Sequence, residues 1–253
     1  MKVVVFALVL LATNAAAADD LFSLYASGQY EVAMRQGAIA NSAEGFAIAA
    51  RAALADAAMR PQPCLDCLKR AEDFARRAVA ADAGRSDGHV WLASALGLEG
   101  RITGLIRARL DNSPAQAREA LDTALKDDPS NAYALAAMGG WNIEVVRGGG
   151  AMLAKLLYGA RVEDGIAFFD RAVKAAPGNV AVRYQIALVL SGFEPDKYRD
   201  RIAAELQVAI HNAPQTEYEK FVQARAAELL VLLEKNDSRA FAAKVRIFQG
   251  YPP

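Results

Sequence analysis

Histidine and cysteine are scarce in this sequence, and their scarcity removes most routes to catalysis. The chain has two of each among its 253 residues. His89 and His211 stand alone in helical stretches, which leaves few groups for acid–base chemistry near neutral pH. The zinc-protease pattern H-E-x-x-H does not occur. We therefore expect a protein that is not an enzyme, with no catalytic residue, no metal site and no cofactor.

An excess of charge of one sign is also missing. The chain carries 29 Lys and Arg against 29 Asp and Glu. Nucleic-acid binding draws on a basic surplus that neutralises phosphates, so we expect no nucleic-acid partner. Beyond the N-terminus, no apolar run approaches the ~20 residues that span a bilayer. We expect no stable membrane anchor in the mature protein.

The N-terminus has the pattern of a signal peptide. A short positive start, "MK", precedes the apolar run "VVVFALVLLA" and the small residues "NAAAA". These features predict a signal peptide over residues 1–18, cleaved near Ala18–Asp19, and a periplasmic or secreted protein. The remainder, 19–253, is predicted to be a single domain.

That remainder has the spacing of a helical repeat protein. Apolar residues recur every three or four positions, which predicts helices throughout and no strands. Three helices share an Ala five residues before a Pro and a bulky side chain eight before it. These positions are Leu121/Ala124/Pro129, Phe169/Ala172/Pro177 and Leu206/Ala209/Pro214. The pattern is typical of the ~34-residue tetratricopeptide (TPR) unit. We predict an all-α, right-handed TPR-like solenoid with inserted helices, its repeat signal clearest in 65–235.

Two insertions interrupt this spacing. One lies around residues 97–112, inside a helix predicted at 87–108. The other is "RGGGAMLAKLLYGA" at 147–160, whose three glycines predict a flexible break between helices. The helix predicted at 151–158 is apolar nearly all round, so it requires cover on more than one side. The repeat stack, a bound hydrophobic molecule or another protein are the three alternatives.

Cys64 and Cys67 form a C-x-x-C motif at a predicted helix start. In an exported protein we expect a local disulfide between them. Redox exchange, metal binding and free thiols are the alternatives.

Six residues near the second insertion are the candidates for binding a ligand or partner. Trp141 and Glu144 are three residues apart and share a helix face, and Arg147 is the nearest partner for the carboxylate. The 151–158 helix adds the other four. They are Met152, Leu156, Leu157 and Tyr158.

The same segments carry a resemblance to a known family. The stretches "GGWNIE" at 139–144, "LLYGA" at 156–160, "AFFDRAVKAAPGN" at 167–179 and "APQTEYEKFVQARAAELL" at 213–230 resemble a group of TPR-like proteins. That group includes the regulators of microtubule dynamics and, in bacteria, the T component of tripartite ATP-independent periplasmic transporters. The resemblance implies a solenoid whose insertions narrow its centre, and a role in holding a hydrophobic ligand or docking a substrate-binding protein. Trp141, Glu144, Leu157, Tyr158 and Gly159 occupy the matching motif positions.

Two hypotheses follow for function. The first is an exported scaffold that binds a partner protein or peptide along its concave face. The second is a periplasmic carrier or transport accessory that holds a small hydrophobic ligand in a chamber lined by the 151–158 helix. A carrier encloses its apolar residues in a cavity, whereas a scaffold exposes them in a groove or patch.

Overall fold

The computed structural model describes residues 20–252, and helices are the regular elements of that part of the chain. The predicted signal peptide lies outside the described residues. None of the described helices is long and apolar enough to cross a membrane. The helices are α1 (helical residues 20–26), α2 (Tyr30–Ala40), α3 (Ala43–Met59), α4 (Leu65–Ala81), α5 (Ser86–Thr103), α6 (Leu105–Leu110), α7 (Ser113–Asp127), α8 (Ala132–Gly149), α9 (Ala151–Tyr158), α10 (Val162–Ala175), α11 (Val180–Ser191), α12 (Arg199–His211), α13 (Glu217–Glu234) and α14 (Ser238–Phe248).

The short turns between repeat helices end one helix and cap the next. In "DPSN" and "APGN", the proline follows the end of one helix, because it cannot continue the backbone hydrogen bonds. The asparagine then caps the next helix. The Asn131 side chain accepts hydrogen bonds from the backbone of Tyr133 and Ala134 at the start of α8. Asn179 does the same for Val182 at the start of α11. Each cap stabilises its helix by about 1 kcal/mol.

The repeat positions predicted from the sequence are the buried contacts of the stack. The small residues Ala124, Ala172 and Ala209 are fully buried, and so are the bulky residues eight before each proline. One close helix approach lies at Gly139 of α8. A Cβ atom there would stand 2.4 Å from the ring of Phe169 and 2.9 Å from the carbonyl oxygen of Gly165 on α10. Small residues therefore set the distance between paired helices.

Helices α6 and α9 lie outside this regular pairing. The helix before each of them packs directly on the helix after it: α5 on α7, and α8 on α10. Removing the two short helices from the order leaves a continuous stack of antiparallel pairs. The predicted architecture, an all-α helical-repeat solenoid with inserted helices, is confirmed.

Two details of the insertions differ from the prediction. The helix predicted at 87–108 is two helices, because Gly104 has φ +86° and ends α5. The three glycines were expected to form a flexible break. Gly148 and Gly149 instead extend α8, and the break is at Gly150 alone, with φ +76°. At both places one glycine in a conformation that other residues rarely adopt starts the inserted helix.

A cavity at the centre of the solenoid

The solenoid curls far enough for its two ends to meet. The guanidinium of Arg225 on α13 donates a hydrogen bond to the carbonyl oxygen of Ala58 on α3, over 3.3 Å. These residues are 167 positions apart in the sequence. The closed ring surrounds a cavity of about 610 Å3. That volume is within the ~300–1,000 Å3 typical of small-molecule sites.

The wall of the cavity is made mostly of apolar and aromatic side chains. It comes from the inner helices α3, α5, α8, α11 and α13, together with parts of α6, α7 and α14. Small residues on α5 and α8, such as Ala93, Gly97, Ala137 and Gly140, create the space because they fill little of it. Leu54, Leu96, Leu121 and Leu188 and the rings of Trp91, Tyr133, Trp141, Tyr184 and Phe248 also line it. A hydrocarbon chain would find apolar cover on every side of such a wall.

The charged side chains of this wall are nearly all positive. Five arginines and one glutamate line the cavity: Arg51, Arg101, Arg147, Arg225, Arg246 and Glu144. Five positive and one negative charge give a formal net of +4 at the cavity, whereas the whole chain sums to +0. The cavity therefore concentrates positive charge inside low-dielectric walls, where its field is screened least.

Among these arginines, Arg51 is surrounded mainly by aromatic rings. Its guanidinium lies over the rings of Tyr25, Trp91 and Tyr133, at 4.5, 5.2 and 5.0 Å from their centroids. It donates a hydrogen bond to the Tyr133 hydroxyl at 3.0 Å and also interacts with the Tyr25 hydroxyl. Within residues 20–252 it forms no ion pair with a carboxylate. Cation–π contacts hold the group in place, and the nearby carboxylate of Asp87 attracts it without forming an ion pair.

The tyrosine hydroxyls near Arg51 carry no negative charge that could form an ion pair with it. Burial raises the pKa of Tyr25 above its ordinary value, although the positive charge of Arg51 opposes the shift. Burial raises the pKa of Tyr218, which also lines the cavity, to about 12. Both hydroxyls are therefore neutral near neutral pH.

Glu144 is the centre of an ion network at one side of the cavity. Arg147, one turn along α8, donates to its carboxylate at 3.0 Å, as the sequence predicts. Arg101 on α5 adds a contact of 3.3 Å that the sequence did not reveal, since it is 43 residues away. Arg147 also donates to the hydroxyl of Tyr251. The single carboxylate offsets one of the two positive charges beside it. Arg51, Arg225 and Arg246 form no ion pair among the described residues.

The C-terminal segment closes the same side. Arg101 donates to the carbonyl oxygen of Gln249 at 2.9 Å, and the Gln249 side chain donates to that of Leu188 on α11 at 3.1 Å. The segment thus bridges α5, α8 and α11 across the interior of the ring. Phe248 and Tyr251 contribute their rings to the cavity wall.

The structure divides the six candidate residues into two groups. Trp141 and Glu144 line the central cavity. The other four lie on α9, where Ala154 is the buried residue and Met152 and Leu156 are 83% and 78% exposed. The prediction that the 151–158 helix lines the chamber is wrong for this cavity. After Gly150 the chain leaves the stack on its outer side, so the repeat helices do not cover α9 either.

Leu157 and Tyr158 belong to a second, outer depression of about 470 Å3, which Trp141 also lines. The rings of Trp141 and Tyr158 meet edge to face, with centroids 6.4 Å apart. The indole nitrogen of Trp141 donates to the carbonyl oxygen of Pro114 at 2.8 Å. Arg118 lies over the indole ring at 5.0 Å. Trp141 therefore forms the partition between the inner cavity and the outer surface, and α9 braces it from outside.

The cysteines lie away from the cavity, at the start of α4. Their sulfur atoms are at bonding distance and their Cα atoms are 5.3 Å apart, the geometry of a disulfide. The Cys64 sulfur also accepts a hydrogen bond from the Cys67 backbone and so caps the helix. Among residues 20–252, no cluster of three or more His, Cys, Asp or Glu side chains could hold a metal ion.

One short sequence has the form of a hydrolase motif. Residues 84–88, "GRSDG", match the nucleophile-elbow pattern G-x-S-x-G. Ser86 follows a helix rather than a strand, and its hydroxyl accepts a hydrogen bond from Asn131 at 3.0 Å. Nε2 of the nearby His89 contacts the carbonyl oxygen of Ala83, also at 3.0 Å. The strand–turn–helix context that gives this motif its chemistry is absent from this segment.

Comparison with known proteins agrees with the fold. Over residues 16–234 the chain matches the family described as Regulator of microtubule dynamics protein 1-3. No curated protein matches. Among solved structures, the chain is similar to the crystal structure of TTC0263, a thermophilic TPR protein in Thermus thermophilus. The TM-score is 0.59 at 20% identity, and the alignment covers 85% of this chain and 98% of that one.

At that identity the likeness shows the fold alone, a TPR-like helical stack. The finer resemblance to the T component of tripartite transporters stays a prediction. The family match spans most of the chain and includes both insertions. The chain belongs to the family of regulator of microtubule dynamics proteins 1-3.

Proposed function

We propose that this protein is a carrier that encloses one small anionic amphiphile, a molecule with a hydrocarbon part and an acidic head group. The observation that supports the proposal is the 610 Å3 cavity with an apolar wall and a formal net charge of +4. The apolar wall suits the hydrocarbon part. The arginines that form no ion pair suit a carboxylate or a phosphate, for which the guanidinium group is the preferred partner.

The head group is best placed near Arg51. Its guanidinium forms no ion pair among the described residues, and an incoming carboxylate or phosphate would supply one. The guanidinium is already oriented by the rings of Tyr25, Trp91 and Tyr133, so binding would require little reorganisation. The hydrocarbon part would then extend between α5, α8 and α11 toward Leu188.

The other hypothesis from the sequence is a scaffold for a partner protein, and TPR-like folds are suited to that role. A peptide on the concave face would have to pass the contact between Arg225 and Ala58 and displace the segment that ends at Tyr251. A small molecule requires neither change. The closed ring therefore favours the carrier. In keeping with the predicted signal peptide at 1–18, we propose that it acts in the periplasm or outside the cell, where the Cys64–Cys67 disulfide would form.

Native mass spectrometry of protein purified from its own cells tests the proposal. We expect a fraction of molecules to carry one small acidic ligand, released by organic solvent. Ala137→Phe fills part of the cavity without changing its charge and should reduce this fraction. Ile39→Asp on α2, an exposed position outside the cavity and both insertions, is the control and should leave it unchanged. An apo mass alone for the wild-type protein, with the cavity variant indistinguishable from it, would count against a carrier.

A further inference from the structure

The exposed apolar surface of this protein is concentrated on its two insertions. Twelve large apolar side chains are exposed in residues 20–252, and seven of them belong to α6 and α9. These two helices contribute six and eight residues. The seven side chains, which we name the insertion patch, are Leu105, Ile106, Leu110, Met152, Leu153, Leu156 and Leu157. Apolar patches of this kind on a surface mark an interaction site.

The two halves of the insertion patch meet at the end of α8. A Cβ atom on Gly148 would lie 3.3 Å from Leu105 of α6. One on Gly149 would lie 3.4 Å from the Arg109 guanidinium and 4.0 Å from Leu153 of α9. The glycine pair therefore lies close to both α6 and α9.

The charges within the two insertions themselves are mostly basic. Segments 104–111 and 148–161 contain four basic residues and one acidic residue, Asp111. Asp111 pairs with Arg107 at 2.7 Å, and Arg161 has a distant partner in Glu163 at 3.8 Å. Arg109 and Lys155 form no ion pair among the described residues. A surface of large apolar side chains interspersed with free cations is complementary to an anionic lipid headgroup layer.

The insertion patch is also continuous with the cavity. Leu105 lines the cavity and is 48% exposed, and Gly104, Ala108 and Gly148 line it as well. The interior of the ring therefore reaches the surface next to the patch. Helices of six and eight residues, about 9 and 12 Å long, are far too short to cross a hydrocarbon core of ~30 Å, so they suit contact with its surface.

We propose that α6 and α9 dock this protein on an anionic lipid bilayer, with the opening of the cavity facing the membrane. The docked patch would insert its leucines, Ile106 and Met152 at the headgroup boundary, while Arg109 and Lys155 contact lipid phosphates. The proposal goes beyond the carrier function, since it concerns where the protein meets the membrane. It gives an amphiphile a short path between bilayer and cavity.

Co-sedimentation with vesicles tests the docking. Vesicles of phosphatidylcholine with phosphatidylglycerol should bind the full-length protein, and vesicles of phosphatidylcholine alone should bind it much more weakly. The double variant Met152→Asp/Leu156→Asp should lose more than about tenfold in binding, because two exposed apolar side chains no longer insert. Arg109→Gln and Lys155→Gln should each cost about fivefold. Ile39→Asp on α2, which is 73% exposed in the wild type and outside both insertions, is the matched control and should bind normally.

Three outcomes would overturn the proposal. One is no binding of wild-type protein to the anionic vesicles. Another is equal binding by the wild type and the double variant. The third is light scattering that shows a wild-type dimer and a monomeric double variant, because the patch would then be an interface between copies. Ligand occupancy measured on the same preparations keeps the two proposals apart. Occupied protein that does not bind vesicles refutes the docking alone, whereas protein that binds vesicles but takes up no amphiphile from them counts against the carrier alone.

Discussion

The cavity wall and the insertion patch are both apolar and basic, yet they face opposite environments. Around the cavity, neighbouring repeats cover the apolar side chains, and the guanidinium of Arg51 is enclosed by rings. On α6 and α9 no repeat helix covers Ile106 or Met152, which are 80% and 83% exposed. The difference in exposure comes from how each helix is connected to the stack rather than from its amino-acid composition. Helices that continue the antiparallel pairing are covered by their neighbours, whereas a helix that follows Gly104 or Gly150 leaves the stack.

The largest expected effect on the free energy of unfolding comes from substituting two glycines on α8, one in the stack and one at the insertion. Gly139→Ala should lower the free energy of unfolding by about 1–3 kcal/mol, because the added methyl would overlap the buried ring of Phe169. Gly149→Ala, at the insertion, should raise it by up to about 1 kcal/mol. Its methyl would meet only the flexible end of Arg109 and the Leu153 side chain, and Ala favours the helix. Urea denaturation measures both. Equal effects would show that the two regions are packed alike.

Removal of the C-terminal segment should open the cavity without removing any of its arginines. Deletion of residues 249–253 eliminates the hydrogen bonds of Gln249 and Tyr251 to α5, α8 and α11. We expect ligand dissociation to accelerate about tenfold or more, since the closing bonds include charge-assisted ones worth about 1.5–3 kcal/mol each. Stopped-flow displacement of a fluorescent fatty acid reports the rate. An unchanged rate would mean that the C-terminal segment does not close the cavity.

The free energy of unfolding should depend on pH because of Glu99, a residue of α5 that does not line the cavity. Burial, reinforced by the nearby carboxylate of Glu72, raises the pKa of Glu99 to about 7. The folded state therefore favours the protonated form. The associated stability is present below the unfolded pKa of about 4.5 and is lost as the pH rises through about 7. After allowing for partial exposure, we expect a loss of roughly 1 kcal/mol. Urea denaturation of the wild type and Glu99→Gln should show a decline with pH that the variant lacks.

The smallest expected effect is at the insertion patch. Met152→Asp with Leu156→Asp should change the free energy of unfolding by no more than about 0.5 kcal/mol, because these side chains already contact water. Leu188→Asp, the same chemical change in the cavity wall, should cost several times more, since Leu188 is only 3% exposed. A large loss in the double variant would indicate that α9 is packed more tightly than its exposure suggests.

The sequence could predict features that depend on neighbouring residues along the chain. It could not predict contacts between residues far apart in the sequence. Ala124, Ala172 and Ala209 follow from a fixed distance to a proline, and the pairing of Glu144 with Arg147 follows from one helical turn. The cavity depends instead on contacts across the ring. Arg51 meets Tyr133 over 82 residues, Arg101 meets Gln249 over 148, and Arg225 meets Ala58 over 167. No periodicity in the chain encodes these distances.

The same limit applies to α9, for which the sequence left three kinds of cover open. An apolar helix predicts burial when the chain is considered alone, because most apolar stripes are core. Whether neighbours cover it depends on where Gly150 directs the chain. Trp141 and Glu144, two of the candidates for binding a ligand or partner, line the cavity because they lie on a regular repeat helix, α8. Gly104 is the other glycine after which the chain leaves the stack. It divides a stretch whose apolar residues have the spacing of one continuous helix.

Calorimetric titration with dodecanoate and with dodecanol is the most direct test of the anionic carrier. The two probes share a hydrocarbon chain and differ in the acidic head group. We expect one dodecanoate per protein molecule, bound at least about tenfold more tightly than dodecanol, because a hydrogen-bonded charge pair in a buried site contributes about 1.5–3 kcal/mol. Arg51→Gln should remove that preference and leave dodecanol binding unchanged. Equal affinity of the wild type for both probes, or a preference that survives Arg51→Gln, would contradict a head-group site at Arg51.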